Sequence, residues 1–170
     1  MMSLTASLAA IFARELGTLR MEVEAYSADA DLWRVVPGIA NSGGTLALHL
    51  AGNLQHFIGA ILGGSGYHRN REAEFEARNV PREQVLQGID QAIAAVRRTL
   101  AGLSDAELDH GYPEPVAGVR LNTGDFLIHL ASHLAYHLGQ VDYHRRIVTA
   151  GGPLGASVSP TRLWSAEKAS

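Results

Sequence analysis

The chain has 170 residues and a mass of 18.2 kDa, with 46% hydrophobic residues, a formal net charge of -3, no cysteine and eight histidines. A chain of this mass buries roughly 70% of its unfolded surface on folding, so the expectation is one domain with a substantial core. The missing cysteine excludes a disulfide scaffold, cysteine-ligated zinc, iron–sulfur clusters and a thiol nucleophile of the protein's own. With 14 basic against 17 acidic side chains, no positive excess exists to neutralise a row of phosphates, which argues against a nucleic-acid partner.

Charged or strongly polar residues interrupt every hydrophobic run before ~20 residues, so no membrane span is expected. The start, Met1-Met2-Ser3-Leu4, lacks the features of a secretory leader, and a cytoplasmic protein is the expectation.

Leu4, Leu8, Ile11, Leu16, Leu19 and Val23 recur at helical spacing and predict a first amphipathic helix ending near Tyr26. The segment from Asp31 to Gly43 reads as loop, and a second helix starts close to Thr45 with the stripe Leu46, Leu50, Leu54, Phe57 and Ile61. Gly63-Gly64-Ser65-Gly66 ends it, and Tyr67 to Asn79 is a charged connection, a crossover or lid. Pro81 opens a third helix carrying Val85, Ile89, Ile93, Val96 and Leu100, stopped at Gly102. Ser104-Asp105-Ala106-Glu107 has the form of a capping box and predicts a short helical turn. His110 to Asn122 holds too many glycines and prolines for a helix and reads as a loop or small hairpin; Asn122 or Thr123 then caps a fourth helix running to about Thr149. Beyond Gly151-Gly152-Pro153 the pattern is weak, with Leu163 and Trp164 as the tail's anchors. Four long helices and one long crossover describe an all-α four-helix bundle over residues 1–150 with a C-terminal tail over 151–170.

On the fourth helix, at about 100° per residue, Leu130, Leu134, Leu138 and Val141 share one direction, while His133, His137, Gln140 and His144 lie roughly 70–80° to one side. The histidine row thus borders the buried face. On the second helix His49, Asn53 and His56 flank the stripe in the same way. Two imidazoles at i and i+4 stand one turn apart and can reach a single divalent ion. His129 sits about 40° further from the stripe than His133, so His133 and His137 form the inner pair, with His49 as the candidate third ligand. Three imidazoles suit zinc, nickel, copper or iron and leave coordination positions open for water or substrate. His56 and His144 either line the pocket or cap the bundle end. Asn53 and Gln140 either orient the imidazoles or a bound water, or are packing amides. His68 and His110 fall in loops and carry no functional reading. A His-Glu-x-x-His motif is absent, which removes the zincin protease reading.

His133-Leu-Ala-Tyr-His137-Leu-Gly139-Gln140 resembles the His-x-x-x-His-x-Gly-Gln signature in the last helix of the DinB-like metal-dependent bundle superfamily. His49-Leu50-Ala51-Gly52-Asn53, followed by Arg69-Asn70-Arg71-Glu72-Ala73-Glu74-Phe75-Glu76, is similar to one branch of it. The resemblance spans about residues 3 to 150. It implies an up-down-down-up bundle, a three-histidine site falling on His49, His133 and His137, zinc or nickel as the ion, and a homodimer. It also implies a transferase, or a related hydrolase or isomerase, that uses a low-molecular-weight thiol such as bacillithiol or mycothiol on a small-molecule substrate. The alternative is a non-catalytic bundle that binds a metal or small molecule. Tyr67, Arg69 and Arg71 of the crossover either hold a carboxylate of the thiol or belong to a solvated charged loop.

Overall fold

The computed structural model describes residues 3–154 and 159–168. Helix α1, Leu4–Glu24, starts where the Ser3 hydroxyl accepts the Ala6 N–H at 3.1 Å. A single turn, α2, Asp29–Leu32, opens before the stretch that reads as loop and takes its first two residues, Asp31 and Leu32. Helix α3, Gly43–Leu54, begins after Ser42, whose hydroxyl accepts the Thr45 N–H at 3.2 Å. It starts two residues before the sequence suggests, because Gly43 and Gly44 serve close packing and not a turn. A Cβ on Gly43 would stand 2.0 Å from the Tyr26 hydroxyl, and one on Gly44 2.8 Å from the Trp33 ring.

From Gln55 to Leu62 the same helix continues in π-helical form, with the Gly63 N–H reaching back to Ile58 O at 3.0 Å. This wider winding shifts the buried stripe: Leu46, Leu50 and Leu54 are buried as expected, but Ile58 follows them inward while Phe57 and Ile61 are only partly covered. Helix α4, Arg71–Glu76, lies in the crossover; α5 is Arg82–Ala101 and α6 is Thr123–Thr149. The capping box forms as read, opening a 3-10 turn over Asp105–Asp109. Isolated bridges Gly111–Asn122 and Val116–Val119 make the following segment a small hairpin, and no strand exists among the described residues.

Contacts at the helix ends set the directions. Thr5, at the start of α1, donates its N–H to Asp105 at 2.8 Å, and Leu108 of that 3-10 turn packs on Gly124 at the start of α6, so α1 and α6 run parallel. Arg82, at the start of α5, donates to Glu24 O at the end of α1 (3.1 Å), while Tyr26, just past α1, meets Gly43 at the start of α3. Helices α3 and α5 therefore run against α1 and parallel to each other, which is the up-down-down-up order. Helix α1 packs on α5 and α6, α3 packs on the same two, and α1 and α3 face each other across the diagonal. Because α3 and α5 are parallel, the chain must travel back along the bundle between them, and this segment passes the histidines.

Apolar side chains from all four long helices fill the middle, among them Phe12, Leu16, Leu50, Ile89, Phe126 and Leu134. Burying each is worth about 1.5–3 kcal/mol. Two polar groups cross this core: an ion pair between Glu22 and Arg145, and a chain from the Tyr26 hydroxyl to His144 Nδ1 (2.7 Å) and from His144 Nε2 to Arg34 O (2.7 Å). No helix among the described residues is long and apolar enough to cross a membrane. In the tail, residues 155–158 and 169–170 lie outside the described residues. Leu163 and Trp164 are not the buried anchors the pattern suggests, being 37% and 61% exposed; Arg145 instead donates to Gly152 O at 3.0 Å where the tail begins.

Candidate metal centre

His49 of α3 and His133 and His137 of α6 converge, with one ligating atom from each ring lying within 4.8 Å of the others. His49 Nε2 and His133 Nε2 stand 3.3 Å apart. Two nitrogens bound tetrahedrally to one ion at about 2.0–2.1 Å are separated by about 3.3–3.4 Å, so this pair already has the spacing of a shared ion. The His133 and His137 ring centroids are 4.6 Å apart with the planes nearly perpendicular.

Partners on the far side of each ring decide which nitrogen faces inward. His49 Nδ1 lies 3.1 Å from Glu74 Oε2. Arg69 Nη2 also stands 3.2 Å from Nδ1, but it is given to the same carboxylate at 2.7 Å, so the Nδ1 proton goes to Glu74 and Nε2 keeps its lone pair for the centre. Arg69 holds the same carboxylate with two hydrogen bonds of 2.7 Å, from Nε to Oε1 and from Nη2 to Oε2. Burial pushes the Glu74 carboxyl up, but the bonds from Arg69 and His49 outweigh it and hold the group below the usual carboxylate range. His137 Nδ1 bonds Gln140 Oε1 at 2.7 Å, which likewise leaves its Nε2 free. His133 Nδ1 is buried with no hydrogen-bond partner among the described residues. The donor set fits a divalent ion: three converging imidazoles, two of which meet an acceptor, Glu74 or Gln140, at Nδ1 and so turn Nε2 inward.

Burial, and then the neighbouring His137, His49, His129 and Arg69, push the His133 imidazole down to about 4. It is therefore neutral near pH 7, its lone pair free of a competing proton. The sign for stability follows. The unfolded chain takes up a proton near pH 6.5 and the folded one only near 4, so metal-free protein loses stability as pH falls through that window. We expect chelator-treated His133→Gln to lose about 1 kcal/mol less than wild type between pH 7 and pH 5, with His133's partial exposure discounted. Urea denaturation at the two pH values checks this; equal losses would contradict it.

The other residues singled out in the sequence fall elsewhere. His129 is exposed and stacks beside Phe126, with its ring centroid 6.2 Å from that of His133. His56, two turns along the helix from His49, meets the hairpin, 3.6 Å from Glu114 Oε1. His144 does not line the pocket: it is 1% exposed and spent on Tyr26 and Arg34, since the end of α1 lies against that part of α6. Asn53 is buried with Oδ1 unpartnered among the described residues, while Gln140 bonds a histidine of the group. The crossover is not uniformly solvated, as Glu74 is 7% exposed. Glu74 is what the sequence reasoning missed as part of the site, and Arg69, which the sequence offers as a holder of a cosubstrate carboxylate, is bonded to Glu74; no periodicity marks a single buried carboxylate in a charged run.

The sequence profile of the DinB superfamily matches residues 12–141. No curated protein and no solved structure matches the chain.

Proposed function

Because the chain belongs to the DinB superfamily, we propose that it is a divalent-metal-dependent enzyme built on His49, His133 and His137, acting as a low-molecular-weight-thiol S-transferase or a related hydrolase or isomerase. The observation that carries this reading is the convergence of three imidazoles from two helices on one point, with His137 still partly open to solvent. Zinc or nickel held there would supply Lewis acidity and lower the pKa of a bound thiol or water. The chain's own part is positional. Glu74 and Gln140 orient two of the rings, and burial keeps His133 neutral. A chain without cysteine offers no thiol of its own to compete with a cosubstrate. A cavity of about 280 Å3 lined by Gly38, Ile39, Leu46, Gln140 and Tyr143 adjoins the outer side of His137 through Gln140.

A homodimer in the cytoplasm completes the reading. Ile128, Tyr136, Tyr143 and Ile147 are exposed along one side of α6, an apolar stripe of the kind a second copy would cover.

Turnover of an electrophilic aryl halide with a panel of low-molecular-weight thiols tests the activity. The expected outcome is a rate that disappears with chelator, returns with zinc or nickel, and is absent in His133→Ala. Stoichiometric metal with no rate above the uncatalysed one for any thiol would contradict catalysis and leave a binding bundle.

A further inference from the structure

Helix α4 has six residues, too few to hold itself together in water, so it exists because something docks it. The docking is unusual in kind. Of its six residues only Glu74 is buried, and what Glu74 touches is His49 and Arg69. Phe75 adds its ring at 4.9 Å from the His49 ring, and Arg69 lies over Phe57 at 5.7 Å. The segment is thus fastened to the bundle chiefly through an imidazole of the three-histidine group, where an apolar side chain would ordinarily serve. Helix α3 is shaped for this approach: a Cβ on Gly52, one turn from His49, would stand 2.2 Å from Glu74 Oε1.

We propose that the crossover from Arg69 to Glu76 is a clasp whose docking and metal binding at the three histidines are thermodynamically coupled, with Glu74 as the positioning residue that joins them. The inference rests on the metal-site reading above. With the clasp closed, the Glu74 carboxylate holds the His49 proton on Nδ1 and presents Nε2 to the centre. With it open, the imidazole is free to rotate and to exchange tautomers, and an ion binds more weakly. Linkage requires the converse to the same degree: an ion on His49 Nε2 leaves the only proton on Nδ1, which strengthens the bond to Glu74 and closes the clasp. Arg69 keeps the carboxylate charged and in plane through both of its oxygens.

The test uses the full chain and zinc as the probe, with affinity measured by competition against a chromophoric chelator and clasp opening by amide hydrogen exchange over residues 69–77. Wild type is expected to bind zinc, and saturating zinc to slow exchange in the clasp about 10–100-fold, the range over which loss of a ligand's outer partner weakens a metal site. Glu74→Gln should lose zinc affinity by a similar factor and show no further protection of the clasp at saturating zinc. A merely structural Glu74 would raise exchange with and without zinc alike and leave the affinity in place. Gly52→Ala provides the second variant: it improves helix propensity yet should weaken zinc binding by displacing Glu74. Unchanged zinc affinity in both variants, with clasp exchange indifferent to zinc in wild type, would overturn the coupling while leaving the metal site standing. A wild type that binds no zinc would overturn both.

Discussion

His133→Ala is expected to lower zinc or nickel affinity by more than about 100-fold, beyond the 10–100-fold range for removing an outer partner of a ligand. His133 stands between the other two: its Nε2 is 3.3 Å from His49 Nε2 and its ring 4.6 Å from that of His137. Without it, the two remaining imidazoles come from different helices. The fold should tolerate the change, because the deleted ring carries a buried Nδ1 with no partner, and its loss removes an uncompensated polar group. His129→Ala, one turn earlier on an exposed ring, should leave the affinity as it is. Chelator competition on the three proteins measures both effects. Equal affinities in wild type and His133→Ala, or a loss in His129→Ala as large as in His133→Ala, would show that the ion sits elsewhere.

Arg145→Met should have the largest effect on stability, about 3–5 kcal/mol. The Glu22 and Arg145 side chains are 2% and 3% exposed, and Arg145 also donates to Asp142 at 3.3 Å and to Gly152 O at 3.0 Å. Removing the guanidinium leaves a buried carboxylate without its counter-charge, and burial already pushes Glu22 up against the pull of Arg145. At about 2–4 °C per kcal/mol for a chain of this size, the midpoint should fall by roughly 6–20 °C. The sign with pH is fixed: a carboxyl whose folded pKa lies above its unfolded value takes up protons in the folded state first, so the deficit of Arg145→Met should narrow as pH falls from 7 toward 5. Glu22→Leu combined with Arg145→Met should recover most of the loss, since no charge is left stranded. A deficit below about 1 kcal/mol in the single variant would mean that water reaches the pair.

The parts of the fold readable in the sequence are those governed by regular geometry. The stripe of α6 and most of those of α1 and α5, the capping box at Ser104 and the His133–His137 spacing follow from regular geometry, and the structure displays them, except that Phe12 is buried on α1 where the pattern puts Ile11 and Ile93 of α5 is only partly covered. Where the period changes, the reading drifts. Beyond Gln55 the π-helix turns Ile58 inward in place of Phe57. His144 lies on the histidine side of α6, but which neighbour that side meets depends on position along the bundle, and there it meets Tyr26. Glu74, and its pairing with Arg69, were the least legible, since a buried carboxylate in a charged loop has no pattern of its own. The nearest signal is Gly52: a glycine one turn after a candidate ligand, inside an otherwise good helix, marks a place where another group must come close.

Metal analysis of the untagged protein tests the central claim most directly, before and after dialysis against chelator and then against zinc or nickel. One divalent ion per chain, lost to the chelator, regained on readdition and absent from His133→Ala, is the predicted result. An untagged wild-type chain that holds no ion even when micromolar zinc and nickel are supplied would contradict it.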